Sequence, residues 1–195
     1  MNSKNYHHGD LKQQMILNGL KLLNEQGVQE LSLRKIASMC NVSHAAPYKH
    51  FKDKEDLINQ ISNHVKHEFD LSITNSIDDN LNPKDKMIQV AKGYIGFMNQ
   101  NPEYFKFLMC NAQLFSVRIT EDDITCEDSH AFDIFKENSL EMFKYLGIDE
   151  KEYAMNILTM WATVQGMSML IVNQNLLCED YDELLEKMLR QKLNF

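Results

Sequence analysis

The sequence predicts an all-α fold: an N-terminal three-helix head built on a helix-turn-helix, then a C-terminal helical domain for ligand binding and dimerisation, with about nine helices in all. Three observations carry this. Breakers are scarce, with 7 Gly and 3 Pro among 195 residues, while strong helix formers abound. Apolar residues recur at three- and four-residue steps along most of the chain. Residues 32–54 contain two short helical stripes separated by Asn41, Val42 and Ser43. With 44% hydrophobic and 25% charged residues, the chain has ordinary globular composition. The head is drawn as residues 1–53 and the regulatory and dimerisation domain as 54–195.

Residues 1–9 read as an arm, and its Tyr6, His7, His8 and Gly9 suit either a nucleic-acid backbone or a free terminus. From Asp10, a natural N-cap, Leu11, Met15, Ile16, Leu20 and Leu23 keep helical spacing to Gly27, which is placed to end the helix. Leu33, Ile36, Ala37 and Cys40 then form the stripe of a two-turn helix, with Ser32 as N-cap. Asn41 tolerates the positive φ of the turn, and Ser43 is positioned to cap a second short helix from His44. Such a pair is a helix-turn-helix, whose second helix enters the DNA major groove.

That second helix has suitable chemistry. His44, Ala45 and Ala46 would meet base edges, the alanines offering methyl groups and close approach. Tyr48, Lys49 and His50 supply donors for phosphate, and Pro47 falls where only one helical hydrogen bond is lost. Asp53 caps a third helix starting at Lys54, so a cation and free backbone N–H groups point together at an anion.

The run Leu31-Ser-Leu-Arg-Lys-Ile-Ala37, followed by Asn41-Val-Ser-His-Ala-Ala-Pro-Tyr-Lys-His-Phe-Lys-Asp-Lys54, resembles the DNA-binding domain of the TetR family of bacterial transcriptional repressors over residues 6–58. The resemblance implies that Tyr48 and Lys54 clamp the DNA backbone and that Ser32, Arg34, Ser43, His44, Ala45, Lys49 and His50 line the DNA face. Asn41 stands where the family usually has Gly, and Asn also accepts a left-handed backbone.

The helix from Lys54 carries Leu57, Ile61, Val65 and Phe69 and is expected to run to about Ile77. His64 and His67 lie on it at metal-chelating spacing, with no further ligand pair to complete a site. Pro83 opens a helix through Tyr94 and Met98 to Asn101, and Glu103 opens another, rich in Phe105, Phe107, Met109, Leu114 and Phe115. Residues 116–129 read as an acidic loop, with Cys126 among polar neighbours as a candidate exposed thiol. A helix from Ala131 closes at Gly147, a long one runs from Asp149 to about Leu177, and the last starts near Asp180. In the long helix, Trp161 with Gln165 and Gly166 resembles the Trp-x-x-x-His-Gly signature of one TetR subgroup, with Gln for His.

The apolar, neutral cast of residues 94–115 and 157–171 suits core packing or the wall of a cavity for a hydrophobic or aromatic effector. Tyr94, Met98, Phe105, Met109, Trp161 and Gln165 are the candidate contacts. The last two helices are expected to form a homodimer interface as a four-helix bundle.

Charge is divided. Up to residue 52 the chain carries 7 Lys and Arg against 3 Asp and Glu; the remainder carries 13 against 25. A basic head on an acidic body directs the attractive field to one end. The four cysteines show no paired spacing, which argues against a zinc knuckle or disulfide framework and leaves a redox role resting on Cys126 alone. No run approaches 18 consecutive apolar residues and no signal core is present, so a cytoplasmic protein without a membrane partner is expected. No nucleophile elbow, zincin helix or Walker loop points to an enzyme, and no cofactor is implied. The expected function is a palindrome-binding repressor released by a small hydrophobic effector. The alternatives are a helical adaptor and a redox- or metal-responsive regulator.

Overall fold

The structure is a computed structural model, and it describes residues 8–110, 116–120, 123–127 and 129–192. The arm residues Tyr6 and His7, together with Leu114, Phe115, Glu121, Asp122 and Asp128, lie outside the described residues. Eight α-helices and one two-stranded hairpin are present among them: α1 His8–Gln26, α2 Leu33–Met39, α3 Lys54–Asn75, α4 Pro83–Gln100, α5 Pro102–Cys110, β1 Val117–Ile119, β2 Ile124–Cys126, α6 His130–Leu146, α7 Tyr153–Val172 and α8 Tyr181–Lys192. The chain divides into two compact units, one comprising the chain up to His67 with Lys106–Cys110, the other Glu68–Phe105 with the later residues. This division falls inside α3, whereas the sequence suggests a cut before Lys54.

In the first unit, Met15, Ile16, Leu20, Leu22, Leu31, Leu33, Ile36, Ala37, Phe51, Leu57, Ile61 and Val65 form the core. Leu22 is buried where the stripe anticipated Leu23, which is half-buried. Helix α1 begins at His8, so His8 and Gly9 belong to it and Asp10 sits in its first turn instead of capping it. Gly27 has φ 80°, a conformation that favours glycine, and leads into a 3₁₀ turn at Val28–Glu30. Helices α1 and α3 approach closely at Gly19, where a Cβ would lie 2.7 Å from Ile61 Cδ1.

The second unit is built on α4, which packs against α6, α7 and α8. Asn82 caps α4, its side chain accepting from the backbone N–H groups of Lys84 and Asp85 at 3.1 and 3.2 Å. At the centre Tyr94 and Trp161 meet edge-on with ring centroids 5.2 Å apart, and Phe69, Phe132 and Phe135 extend the aromatic cluster. Arg190 on α8 holds Asp85 of α4 at 2.9 Å, and Lys92 of α4 holds Glu186 of α8 at 3.0 Å.

Three expectations for this unit change. The acidic loop contains an antiparallel hairpin pairing Val117 with Cys126 and Ile119 with Ile124. Alternation on β2 turns Ile124 and Cys126 inward, so Cys126 is buried and is not an exposed thiol. Helix α7 starts after a 3₁₀ turn at Glu150–Glu152 and ends at Val172, five residues early, because Gln174 takes φ 57°. Gly147 does close α6 in the left-handed conformation, at φ 69°.

The segment Glu150–Val172 is long and apolar enough, by length and composition, to cross a membrane, with mean hydropathy 1.3 in its most apolar window. Counting consecutive apolar residues overlooks this, because Thr159, Thr163, Gln165 and Ser168 interrupt the run. One face of α7, with Ile157, Trp161, Val164, Met167 and Ile171, is buried in the second unit.

Candidate nucleic-acid interface

Local capping builds the interface. The Ser32 hydroxyl accepts from the Lys35 backbone N–H at 3.2 Å and starts α2, leaving Arg34 exposed in its first turn. Lys35 is turned to Gln26 and Glu30, with Nζ at 2.6 Å from Gln26 Oε1 and 3.2 Å from Glu30 Oε2. Asn41 adopts φ 57° and reverses the chain, and the Val42 N–H bonds the Ala37 carbonyl at 3.0 Å.

The second element is shorter than its sequence suggests. Instead of an α-helix capped by Ser43, residues 43–50 make consecutive three-residue turns, with a 3₁₀ helix only at Pro47–Lys49 and Ala46 as its N-cap. Pro47 is the cause: it lacks the N–H that would close the first α-helical bond to the Ser43 carbonyl, and that carbonyl accepts from Ala46 at 2.9 Å instead. The tighter turns still present most of the anticipated face. Ser43, His44, Ala45, Tyr48 and Lys49 are exposed, Tyr48 by 57%, while Ala46 and His50 are half-buried and Pro47 is buried.

Helix α3 begins as its sequence implies. Asp53 Oδ1 accepts from the Asp56 N–H at 2.9 Å, with Lys54 half-buried at the first helical position. The Asp56 carboxylate accepts from the Lys52 N–H at 2.8 Å and from Gln60 Nε2 at 3.0 Å. Gln60 and that backbone N–H hold the Asp56 carboxyl below its ordinary range, overcoming a small opposing effect of burial. Gln60 also reaches the His50 carbonyl at 3.3 Å, so the stretch from His50 to α3 is pinned at both ends.

These elements enclose a notch of about 380 Å³ lined by Ser32, Leu33, Arg34, Tyr48, Lys52, Asp53 and Lys54. Two lysines, an arginine, a phenol and a serine hydroxyl converge there beside the α3 N-terminus, the donor set that grips a phosphodiester. Lys52 is the member the sequence reading passed over. The signal was present: its cation lies two residues before the Lys54 helix start, and the Lys52 backbone is fixed by Asp56.

Among the effector candidates, Tyr94, Met98, Phe105 and Trp161 are buried, and Gln165 and Met109 are half-buried. Met109 belongs to the 106–110 segment that groups with the first unit. His64 Nε2 lies 3.2 Å from Gln13 Nε2. Among the described residues, no three His, Cys, Asp or Glu side chains gather as metal ligands.

The described residues thus combine a helical head, with its helix-turn-helix, and a basic notch at the start of α3. Residues 16–61 match the model of bacterial regulatory proteins of the tetR family, so the head of this chain is similar to the heads of that family. It is 31% identical over 77 residues to the HTH-type transcriptional regulator SAUSA300_2515 of Staphylococcus aureus (strain USA300), covering 38% of this chain and 40% of that one. It is 24% identical over 95 residues to the HTH-type transcriptional regulator LuxR of Vibrio harveyi, covering 49% and 46%. The chain thus spans less than half the length of these curated relatives. A TetR-like transcriptional regulator from Rhodococcus sp. RHA1 shares the fold over 97% of this chain and 99% of that one, with TM-score 0.70 and 12% identity.

Proposed function

We propose that the protein is a cytoplasmic, homodimeric, sequence-specific DNA-binding regulator that represses transcription from a palindromic operator and is released by a small hydrophobic effector. The observation that carries this reading is the notch formed by Ser32, Arg34, Tyr48, Lys52 and Lys54 beside the exposed His44, Ala45 and Lys49. Phosphate contacts at the notch fix register, and the short exposed turn reads base edges. Ser43 and His50 complete the proposed face, and Ala46 brings its backbone close to the groove.

One such turn reads few bases, so two copies on a palindrome are needed. The exposed face of α7 supports their pairing: Met155, Ala162, Gly166, Met169 and Leu170 lie open, with Leu177 beyond it and Met188 on α8. A Cβ at Gly166 would meet nothing within 4 Å in its own chain. A mid-helix glycine costs about 1 kcal/mol relative to Ala, and a second backbone seated there supplies the reason for it. The proposed effector contacts in the second unit are Tyr94, Met98, Phe105, Trp161 and Gln165, in its aromatic, neutral part.

Binding to a palindromic fragment of the chain's own upstream DNA, measured across salt concentrations, tests the reading. Tyr48→Ala and Lys54→Ala are each expected to weaken binding to all DNA about tenfold, and Lys54→Ala to reduce the salt slope by about 0.9. Unchanged affinity in both variants would reject the interface. Equal binding to scrambled DNA would favour a helical adaptor.

A further inference from the structure

The buried polar side chains of the second unit follow a rule that Tyr94 does not. Asn138 donates to the Ile134 carbonyl, Ser139 to Phe135 and Ser168 to Val164, all at 2.8 Å, and Ser129 caps α6 through the Phe132 N–H. Each is satisfied by its own helix. The Tyr94 hydroxyl is fully enclosed and has no hydrogen-bond partner among the described residues. An enclosed hydroxyl without a partner forfeits the hydrogen bonds it made to water, a cost that a phenylalanine of the same shape would avoid.

Its surroundings restrict what can satisfy it. Phe69 and Trp161 present their rings at 5.1 and 5.2 Å, and Met98 is wholly buried. No charged side chain is buried in this unit among the described residues. A carboxylate or ammonium brought here would lose its hydration without gaining a counter-ion. Burial, with a lesser contribution from Cys126, pushes the phenol pKa up, so the group stays protonated and offers a donor.

We infer that the effector is an uncharged, largely apolar molecule carrying one hydrogen-bond acceptor, and that the Tyr94 hydroxyl donates to it. The inference rests on the regulator reading for the word effector alone, since the ligand chemistry is measured without DNA. A carbonyl or ether oxygen supplies the acceptor that the surrounding rings do not. A ligand that makes this contact in one conformation only shifts the equilibrium toward it.

Propiophenone and propylbenzene match in shape and differ in one carbonyl, and 3-phenylpropanoate adds a negative charge. Their binding to the full chain is read from Trp161, the single tryptophan, which touches the Tyr94 ring. Wild type is expected to favour the ketone over the hydrocarbon about tenfold and to reject the carboxylate. In Tyr94→Phe the ketone preference falls to parity, while hydrocarbon binding persists. The ligand-free Tyr94→Phe chain should also melt higher than wild type, because the variant removes only an unsatisfied hydroxyl. A ketone preference that survives in Tyr94→Phe, carboxylate binding as tight as the ketone's, or a lowered melting temperature overturns the inference. Operator binding is measured separately, on wild type. Failure of wild type to bind DNA would reject the regulator reading and leave the ligand result standing.

Discussion

The head carries its candidate chemistry in solvent and the body carries its own in the interior. In the head, Arg34, Tyr48 and Lys49 stand in solvent, held by backbone capping at Ser32 and Asp53. In the body, Tyr94 and Trp161 are enclosed and held by other rings. The exposed set can therefore change with little effect on folding. Any change in the enclosed set acts on stability as well.

The widest separation between the two should appear in truncations to alanine. Trp161→Ala removes a buried ring that contacts Tyr94, Phe132 and Phe135 and is expected to cost about 3–5 kcal/mol in urea unfolding. Tyr48→Ala, at a position 57% exposed, should stay within about 0.5 kcal/mol of wild type while losing DNA affinity. Similar stability losses in the two variants would erase the distinction.

Gly166→Arg sharpens it next, because α7 presents one buried and one open face. The open face has room for the new side chain, so the protomer should fold as before, with a small gain from helix propensity. A charge placed between two α7 helices is expected to weaken self-association by roughly a hundredfold or more, as an unpaired buried charge does. Sedimentation at several concentrations measures it, and a dimer of unchanged affinity would move the interface elsewhere.

The same division explains what the sequence could disclose. Ser32, Asn41, Asp53, Asn82 and Gly147 act through rules confined to a few neighbouring residues, and each behaves in the structure as its type and position require. The second element of the head departs from the α-helix its sequence predicts because two local rules compete there: Ser43 favours an α-helical start and Pro47 removes the bond that would continue it. The β1–β2 hairpin escaped because three-residue strands are too short for alternation to register. Lys52 was passed over because its relevance depends on Tyr48 and Lys54 sharing a notch. That the Tyr94 hydroxyl has no hydrogen-bond partner among the described residues is illegible in sequence for a related reason, since a missing partner is a property of packing and no spacing encodes it.

Capping provides a finer comparison, since the two regions use the same device. Asp53→Ala in the head and Asn82→Ala in the body each remove a side-chain acceptor for helical N–H groups, and each should cost about 1 kcal/mol. Only Asp53→Ala should also weaken DNA binding, because Asp53 sets the start of the helix on which Lys54 lies. Parallel losses of DNA affinity would mean that the notch depends on global stability and not on its own cap.

The smallest expected effect is one of pH, at Asp56. The folded state holds this carboxyl below its ordinary pKa, chiefly through Gln60 and the Lys52 N–H. A depressed folded pKa means that the unfolded chain takes up the proton first as pH falls. The contribution is therefore complete above the ordinary carboxylate pKa and disappears as pH drops through the depressed folded value. Asp56→Asn keeps an oxygen acceptor for Lys52 but removes the charge and its titration. The variant should be slightly less stable than wild type at neutral pH, and the gap between their urea midpoints should close on acidification. Asp85, Asp123 and Glu186 in the body are depressed as well, by Arg190, Lys136 and Lys92 respectively. Both chains therefore lose stability in acid, and only the difference between them isolates Asp56. A gap that stays constant down to the lowest pH would show that the Asp56 carboxylate holds the Lys52 backbone by shape alone.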